Sequence, residues 1–284
     1  MVQVFRLIFG QSKLLTNFNP LLYIHLKVIK KLKIREIGLF GILLILILFT
    51  FAVQSSVAQI TNKKNIYSAF LSDDWGLWLK EIKLTEQKKP EHIEQKFELI
   101  NLYYGYIGHL VAKKQYDEAS KYISKGDILL GQILKLNPEN ATAMAYKGSF
   151  TGFKIPMNKL KVFSLGNESE EFLNEAYRLD NNNLQAIIDK GSAMFFKPKV
   201  FGGNKPEALK LFLKAMKLYE LNKNTTNNWM YLHVLTLVAR AYEKTGQLKN
   251  ALAVYEKILR IEPEFKLVKS ELYPALISKT NGKQ

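Results

Sequence analysis

The sequence predicts an all-α protein built as an array of paired helices, and three observations predict it. Near the carboxyl end, apolar residues recur at three- and four-residue steps on both sides of Lys244-Thr-Gly-Gln247, so two amphipathic helices meet at a glycine turn. A related order of large and small residues returns upstream, within Ile187–Ala215, Pro138–Asn181 and Tyr103–Asn137. Prolines punctuate the units, with Pro138 and Pro263 standing where one segment gives way to the next.

Residues 1–36 form an unusual basic extension from which no element is built. Ile37–Val53 follows, seventeen residues without a charge, preceded by the basic run Lys27–Arg35 and followed by Gln54-Ser-Ser-Val-Ala-Gln59. Ser56 and Ala58 are small enough for the minus-three and minus-one positions of a signal-peptidase site, with Gln59 as the new amino terminus. Seventeen residues is also the lower edge of a membrane span. Residues 37–58 therefore read either as a signal peptide core with its cleavage region or as a membrane anchor. In both cases the positive flank keeps the amino terminus cytoplasmic, which places residues 59–284 in the periplasm or cell envelope. Thirty-six residues ahead of the apolar core is long for a signal, and no methionine follows Met1 until Met144. A translation start near Leu26 or Val28 is expected.

Ser72 is placed to cap a helix whose Trp75, Trp78, Leu79 and Ile82 share one face, with Asp73 and Asp74 complementing its dipole. Lys88-Lys89-Pro90 breaks that helix, and Pro90 opens a long one containing Phe97, Ile100 and Tyr104. The next unit pairs Tyr106 and Leu110 with Ala119 and Ile123, its second helix running to Leu136. From Pro138, the residues Met144, Ala145 and Gly148 are matched with Leu173 and Ala176 across a long insertion around 151–166. Ile187, Gly191 and Met194 are matched with Ala208, Phe212 and Ala215 across Lys197–Asn204. There Asn204 or Lys205, ahead of Pro206, starts a new helix.

The last unit is the clearest: Leu235, Val238-Ala239 and Tyr242, then Ala251, Tyr255, Ile258 and Pro263. Its small residues at Ala239 and Ala251 let two helices approach closely, and Pro263 is expected to open the next helix. These residues resemble the tetratricopeptide repeat, a 34-residue helix-turn-helix. Ile258 stands where that family usually has alanine. The resemblance covers most of residues 66–265 and implies a solenoid of three to five stacked units, since a single repeat cannot bury its own apolar face. The repeat domain is read as 59–265. Residues 266–284 supply a closing helix, through Leu267, Leu272 and Leu276, and a polar tail.

Carried over from the family, the first helix of each unit lines a concave face. In the last unit this face comprises His233, Thr236, Arg240, Glu243 and Lys244. In the preceding unit it comprises Gln185, Ile188, Ser192, Phe195 and Phe196, and in the unit before, Thr142, Ala145, Ser149 and Phe153. Such a floor, charged at one end and aromatic in the middle, suits an extended peptide or a partner helix. The competing placement packs Phe195 and Phe196 beneath the 197–204 insertion.

Composition narrows the chemistry. The chain has 41 basic and 25 acidic residues; the first 58 residues take seven and one of these, leaving 34 and 24 downstream. Lysine interspersed with glutamate reads as a solvated helix surface, and nothing resembles a nucleic-acid patch. With no cysteine there is neither disulfide nor thiol chemistry. His25, His92, His109 and His233 have no second histidine or carboxylate motif at metal-ligand spacing. No catalytic constellation and no cofactor motif is present. Phe201-Gly-Gly-Asn204 ahead of a helix could form an anion-holding concavity, but Gly-Gly also suits a tight inter-helical corner. A similar corner occurs in the repeat-containing T component of TRAP solute transporters. The resemblance thus implies a non-enzymatic scaffold for protein or peptide partners, attached to a membrane if Ile37–Val53 is retained. A ligand-binding accessory of a transport system, with a pocket at Phe195, Phe196 and Phe201, is the alternative.

Overall fold

A computed structural model of the chain describes residues 63–281, and among them there is no β-strand. The described residues belong to one compact unit of the chain. Residues 63–72 are helical (α1) and are followed by α2 (Trp75–Gln87), α3 (Ile93–Ala112), α4 (Tyr116–Leu136) and α5 (Ala141–Phe153). Then come α6 (Val162–Leu179), α7 (Leu184–Phe196), α8 (Lys205–Leu221), α9 (Trp229–Lys244), α10 (Leu248–Ile261) and α11 (Tyr273–Asn281). Short 3-10 turns at Ile155–Met157, Lys159–Lys161 and Lys199–Phe201, and a π turn at Val268–Leu272, fill the interruptions. The expected class, an all-α solenoid of paired helices, is the one observed. The apolar run Ile37–Val53 and the cleavage region lie outside the described residues.

The packing is that of stacked helical hairpins. Helices α3 and α4, α5 and α6, α7 and α8, and α9 and α10 pair as hairpins, and successive first helices also touch, α3 with α5 and α5 with α7. Small residues set these approaches: Ala176, Ala186, Ala208, Ala239 and Ala251 have no exposed surface. At Gly191 a Cβ would come within 2.7 Å of the Phe212 ring, so α7 and α8 can pack this closely only with glycine there. In the last unit Leu235, Val238, Tyr255 and Ile258 are fully buried, as the repeat pattern requires. Ile258, in the family's alanine position, fills core volume instead of leaving a gap.

Three local expectations change. The cap of α2 is Asp74, whose carboxylate accepts the Leu77 N–H at 2.9 Å; Asp73 takes a left-handed turn, and the Ser72 hydroxyl donates back to the Ser68 carbonyl inside α1. Pro90 lies outside α3, which begins at Ile93 where Gln95 turns back to accept the Glu91 and His92 amides. Pro263 sits in a turn that precedes the closing segment rather than opening a helix.

Helix α3 is bonded to α5, α7 and α9 through its side chains. Its Asn101 side chain donates to the Tyr146 hydroxyl on α5 (2.9 Å) and accepts from the Trp229 indole on α9 (3.0 Å). One turn on, the Tyr104 hydroxyl donates to Asp189 on α7 at 2.8 Å, and its ring packs on Tyr146 and Phe153. Helix α1 completes the closure. Phe70 packs against Trp78, Trp229 and Phe265, and the Tyr67 hydroxyl donates to Glu262 at 2.7 Å. Chain segments almost two hundred residues apart thus share one core.

Candidate functional site

The residues expected to line an open groove divide into two groups. Gln185, Phe195 and Thr236 are buried. The Gln185 amide donates to Asp189 at 2.8 Å, and the Thr236 hydroxyl is spent on the Leu232 carbonyl of its own helix. Phe195 turns inward onto Phe212, ring centroids 6.0 Å apart. Burial takes these three out of reach of a partner, and only Gln185 is linked to α3, through Asp189 and Tyr104. The groove as drawn from the sequence is therefore too long.

The remaining residues form a short open edge at the α7–α9 boundary. Phe196 is 60 % exposed and meets Phe195 edge to face at 5.0 Å. The Arg240 guanidinium lies over both rings, 5.7 Å from Phe195 and 5.5 Å from Phe196. Ser192 and Glu243 are partly exposed, and Lys244 is exposed. Glu243 is engaged by Lys279 of α11 at 2.9 Å, so the acidic member of the edge is already neutralised. No carboxylate pairs with Arg240 among the described residues. A guanidinium stacked on aromatic faces keeps its in-plane donors free for a carboxylate.

His233 is partly buried, and its ring is turned to Trp229, centroids 6.1 Å apart. Burial, reinforced by the Arg240 charge, lowers its pKa to about 4. It is a neutral imidazole near neutral pH and not a cationic recognition group. Asp189, which sequence reasoning did not single out, is the central polar residue of the inner face. It is 1 % exposed and accepts from Tyr104 and Gln185; burial raises its pKa to about 7 against the opposing hydrogen bonds of Gln185, Tyr104 and Ser149. Gln185 and Asp189, four residues apart on one helix, were its only trace in the sequence.

The glycine corner carries no anion-binding concavity. The Phe201 and Gly203 N–H groups donate to the Pro198 carbonyl, Gly202 to Lys199 and Asn204 to Met194, all at 2.9–3.0 Å. The Asn204 side chain takes the Glu207 amide at 3.1 Å. These donors are spent inside the corner, and a Cβ on Gly203 would strike the Lys197 carbonyl, so Gly-Gly serves a tight turn. Phe195 points into the core while Phe196 and Phe201 face water, so the three do not enclose a pocket. The transport-accessory alternative loses its site.

Among the described residues no group of three or more His, Cys, Asp or Glu is arranged to hold a metal ion. A cleft of about 220 Å³ lies where α1 meets the last unit, lined by Tyr67, Thr225, Tyr231 and Glu262 among others, but Glu262 is already bonded to Tyr67.

Residues 232–265 match the family model of the tetratricopeptide repeat. No curated protein matches the chain. Among solved structures it is similar to the crystal structure of a thermophilic TPR protein of Thermus thermophilus. The identity is 14 %, over 72 % of this chain and 92 % of that one, and the TM-score is 0.49.

Proposed function

We propose that this tetratricopeptide-type repeat protein is an exported, non-enzymatic scaffold whose partner docks on the open edge formed by Phe196, Arg240 and Lys244. Repeat folds of this kind serve protein–protein interaction in general, but the fold fixes no partner and the site must be argued from its side chains. The observation that carries the reading is the Arg240 guanidinium within cation–π range of Phe195 and Phe196 with no carboxylate partner among the described residues, next to an exposed aromatic ring. This pairing fits a peptide or partner helix presenting one large apolar side chain and one carboxylate a short distance away. Because Gln185, Phe195 and Thr236 are buried, the edge takes a short motif, not a long strand laid along the whole array.

The basic run Lys27–Arg35 ahead of Ile37–Val53 supports export, and Ser56 and Ala58 support cleavage before Gln59. Amino-terminal sequencing of the protein recovered from an envelope fraction tests this: a terminus at Gln59 supports cleavage, and an intact amino terminus supports a retained anchor. Recovery in the cytoplasm alone would sink the export reading. The docking edge is tested by affinity capture from envelope extract with the full chain, beside a Phe196→Ser/Arg240→Glu variant. Wild type should retain a partner that the variant loses, while both give the same helical circular dichroism. Equal capture by both would remove the edge from consideration.

A further inference from the structure

Two insertions interrupt the regular alternation of helices and come together on the surface. The first, between α5 and α6, contains the turns Ile155–Met157 and Lys159–Lys161; the second, between α7 and α8, contains Lys199–Phe201 and the glycine corner. Phe163, at the start of α6, meets Phe201 edge to face with ring centroids 5.8 Å apart, and Lys197 reaches Glu170 at 2.7 Å. Ile155 and Met157 are partly covered, but other large apolar side chains here are exposed. Leu160 is fully exposed, Val200 is 83 % exposed, Phe163 72 % and Phe201 49 %. Their exposure is built in, since the corner that carries Val200 and Phe201 is closed by four backbone hydrogen bonds. Keeping four such groups in water is unfavourable, and a contiguous exposed set marks a surface that something covers.

Charge identifies the cover. Residues 154–166 and 197–206 carry six lysines and no aspartate or glutamate. Lys154 is paired with Asp127 and Lys197 with Glu170. Among the described residues Lys159, Lys161, Lys199 and Lys205 have no carboxylate partner. A protein hot spot is an anchor seated in a fitted pocket. Here, instead, exposed apolar side chains alternate along the chain with lysines, as in Lys159-Leu160-Lys161 and Lys199-Val200, and Glu170 is already tied to Lys197. That arrangement matches a bilayer interface, where apolar tips enter the acyl boundary and lysines extend to lipid phosphates. We propose that Leu160, Phe163, Val200 and Phe201 insert into an anionic lipid surface, with Lys159, Lys161, Lys199 and Lys205 held by its phosphates. This ridge is distinct from the Phe196–Arg240 edge and leaves that edge free for a protein.

The absence of cysteine makes a clean test possible, because Leu160→Cys or Val200→Cys gives the full chain a single spin-label site. The amino-terminal apolar run is present in every sample, so the readout is label depth and not attachment of the protein. Vesicles of phosphatidylglycerol and phosphatidylcholine are compared with phosphatidylcholine alone. Ile128→Cys on α4, 63 % exposed, is the control. On phosphatidylglycerol vesicles the labels at 160 and 200 should become accessible to oxygen and shielded from aqueous nickel, while the label at 128 stays in water. Adding Lys159→Glu, Lys161→Glu and Lys199→Glu to Val200→Cys should lower the inserted share on the order of a hundredfold, at about fivefold per lysine. Labels at 160 and 200 that remain aqueous on anionic vesicles would overturn the proposal. So would insertion that is equal on both vesicle types, or immobilisation without lipid, which would assign the ridge to a second copy. Immobilisation only on adding soluble envelope protein would assign it to a protein and equally overturn it.

Discussion

Asp189 is buried on α7 and His233 partly buried on α9, and desolvation displaces them in opposite directions. An acid whose pKa rises from 3.8 to about 7 on folding binds more protons in the native state between those values. Its contribution to stability is therefore greatest below about pH 4 and is lost as pH rises through 7. A histidine lowered from 6.5 to about 4 binds fewer protons in the native state, so stability falls as pH drops through that interval. Between about pH 4 and 6.5 the two slopes, each at most about 1.4 kcal/mol per pH unit, oppose one another. Relative to wild type, Asp189→Asn should make stability climb more steeply with pH in this window, and His233→Gln should make it decline. Urea midpoints measured across a pH series check this, since exposed carboxylates shared by all three proteins cancel in the differences. Equal slopes for the three proteins would show that neither group titrates from the interior. The groove residues carry a related lesson. Arg240 and Phe196 were legible because helical position alone put them on the inner face. Gln185 and Thr236 share that position but are buried, Gln185 through an Asp189–Tyr104 link to α3 that no local spacing records.

At the scale of elements, three helix ends use one hydrogen-bonded turn with different residues. After α9, Gly246 takes φ +80° and the Gln247 amide reaches back to the Tyr242 carbonyl. After α3, Lys114 takes φ 59° while Gln115 reaches Leu110; after α8, Lys223 takes φ 52° while Asn224 reaches Tyr219. The glycine turn was readable in the sequence because glycine is the residue that conformation prefers. The lysine turns carried no such sign, because the same geometry is imposed there by the packing of the hairpin against a side-chain preference. Lys114→Gly should relieve that preference and raise stability by about 0.5–1 kcal/mol after glycine's own entropic penalty. Thermal unfolding of the single variant checks the sign. A loss of stability would mean that the lysine stem contributes packing greater than the strain it bears. Caps follow the same logic: Asn204 was foreseen beside Pro206, whereas Asp74 displaced Ser72 because α1 runs to residue 72 and consumes the serine.

For the molecule as a whole, closure changes how the array should unfold. In an open repeat array each unit contacts only its neighbours, and the ends fray first. Here α1 is packed against Trp229 and Phe265 of the last unit, and Asn101 of α3 bonds both Tyr146 and Trp229. Both ends therefore contribute to one core. The repeat period predicted the hairpins and their stacking from local spacing, but their closure depends on pairs such as Tyr67 and Glu262, separated by most of the domain. Phe70 is the residue on which the two halves most directly depend, since its ring touches Trp78, Trp229 and Phe265 together. Phe70→Ala should destabilise the protein by about 3 kcal/mol, the low end for a phenylalanine truncation because the ring is only partly buried. Hydrogen exchange distinguishes closure from ordinary core loss. If the ends are coupled, amides of α1 and of α10 should lose protection together in the variant while α5 and α6 keep theirs. Loss confined to α1 and α2 would instead describe an open array whose first helices merely rest against it, and the inner face would then be available along more of its length than Phe196 and Arg240 occupy.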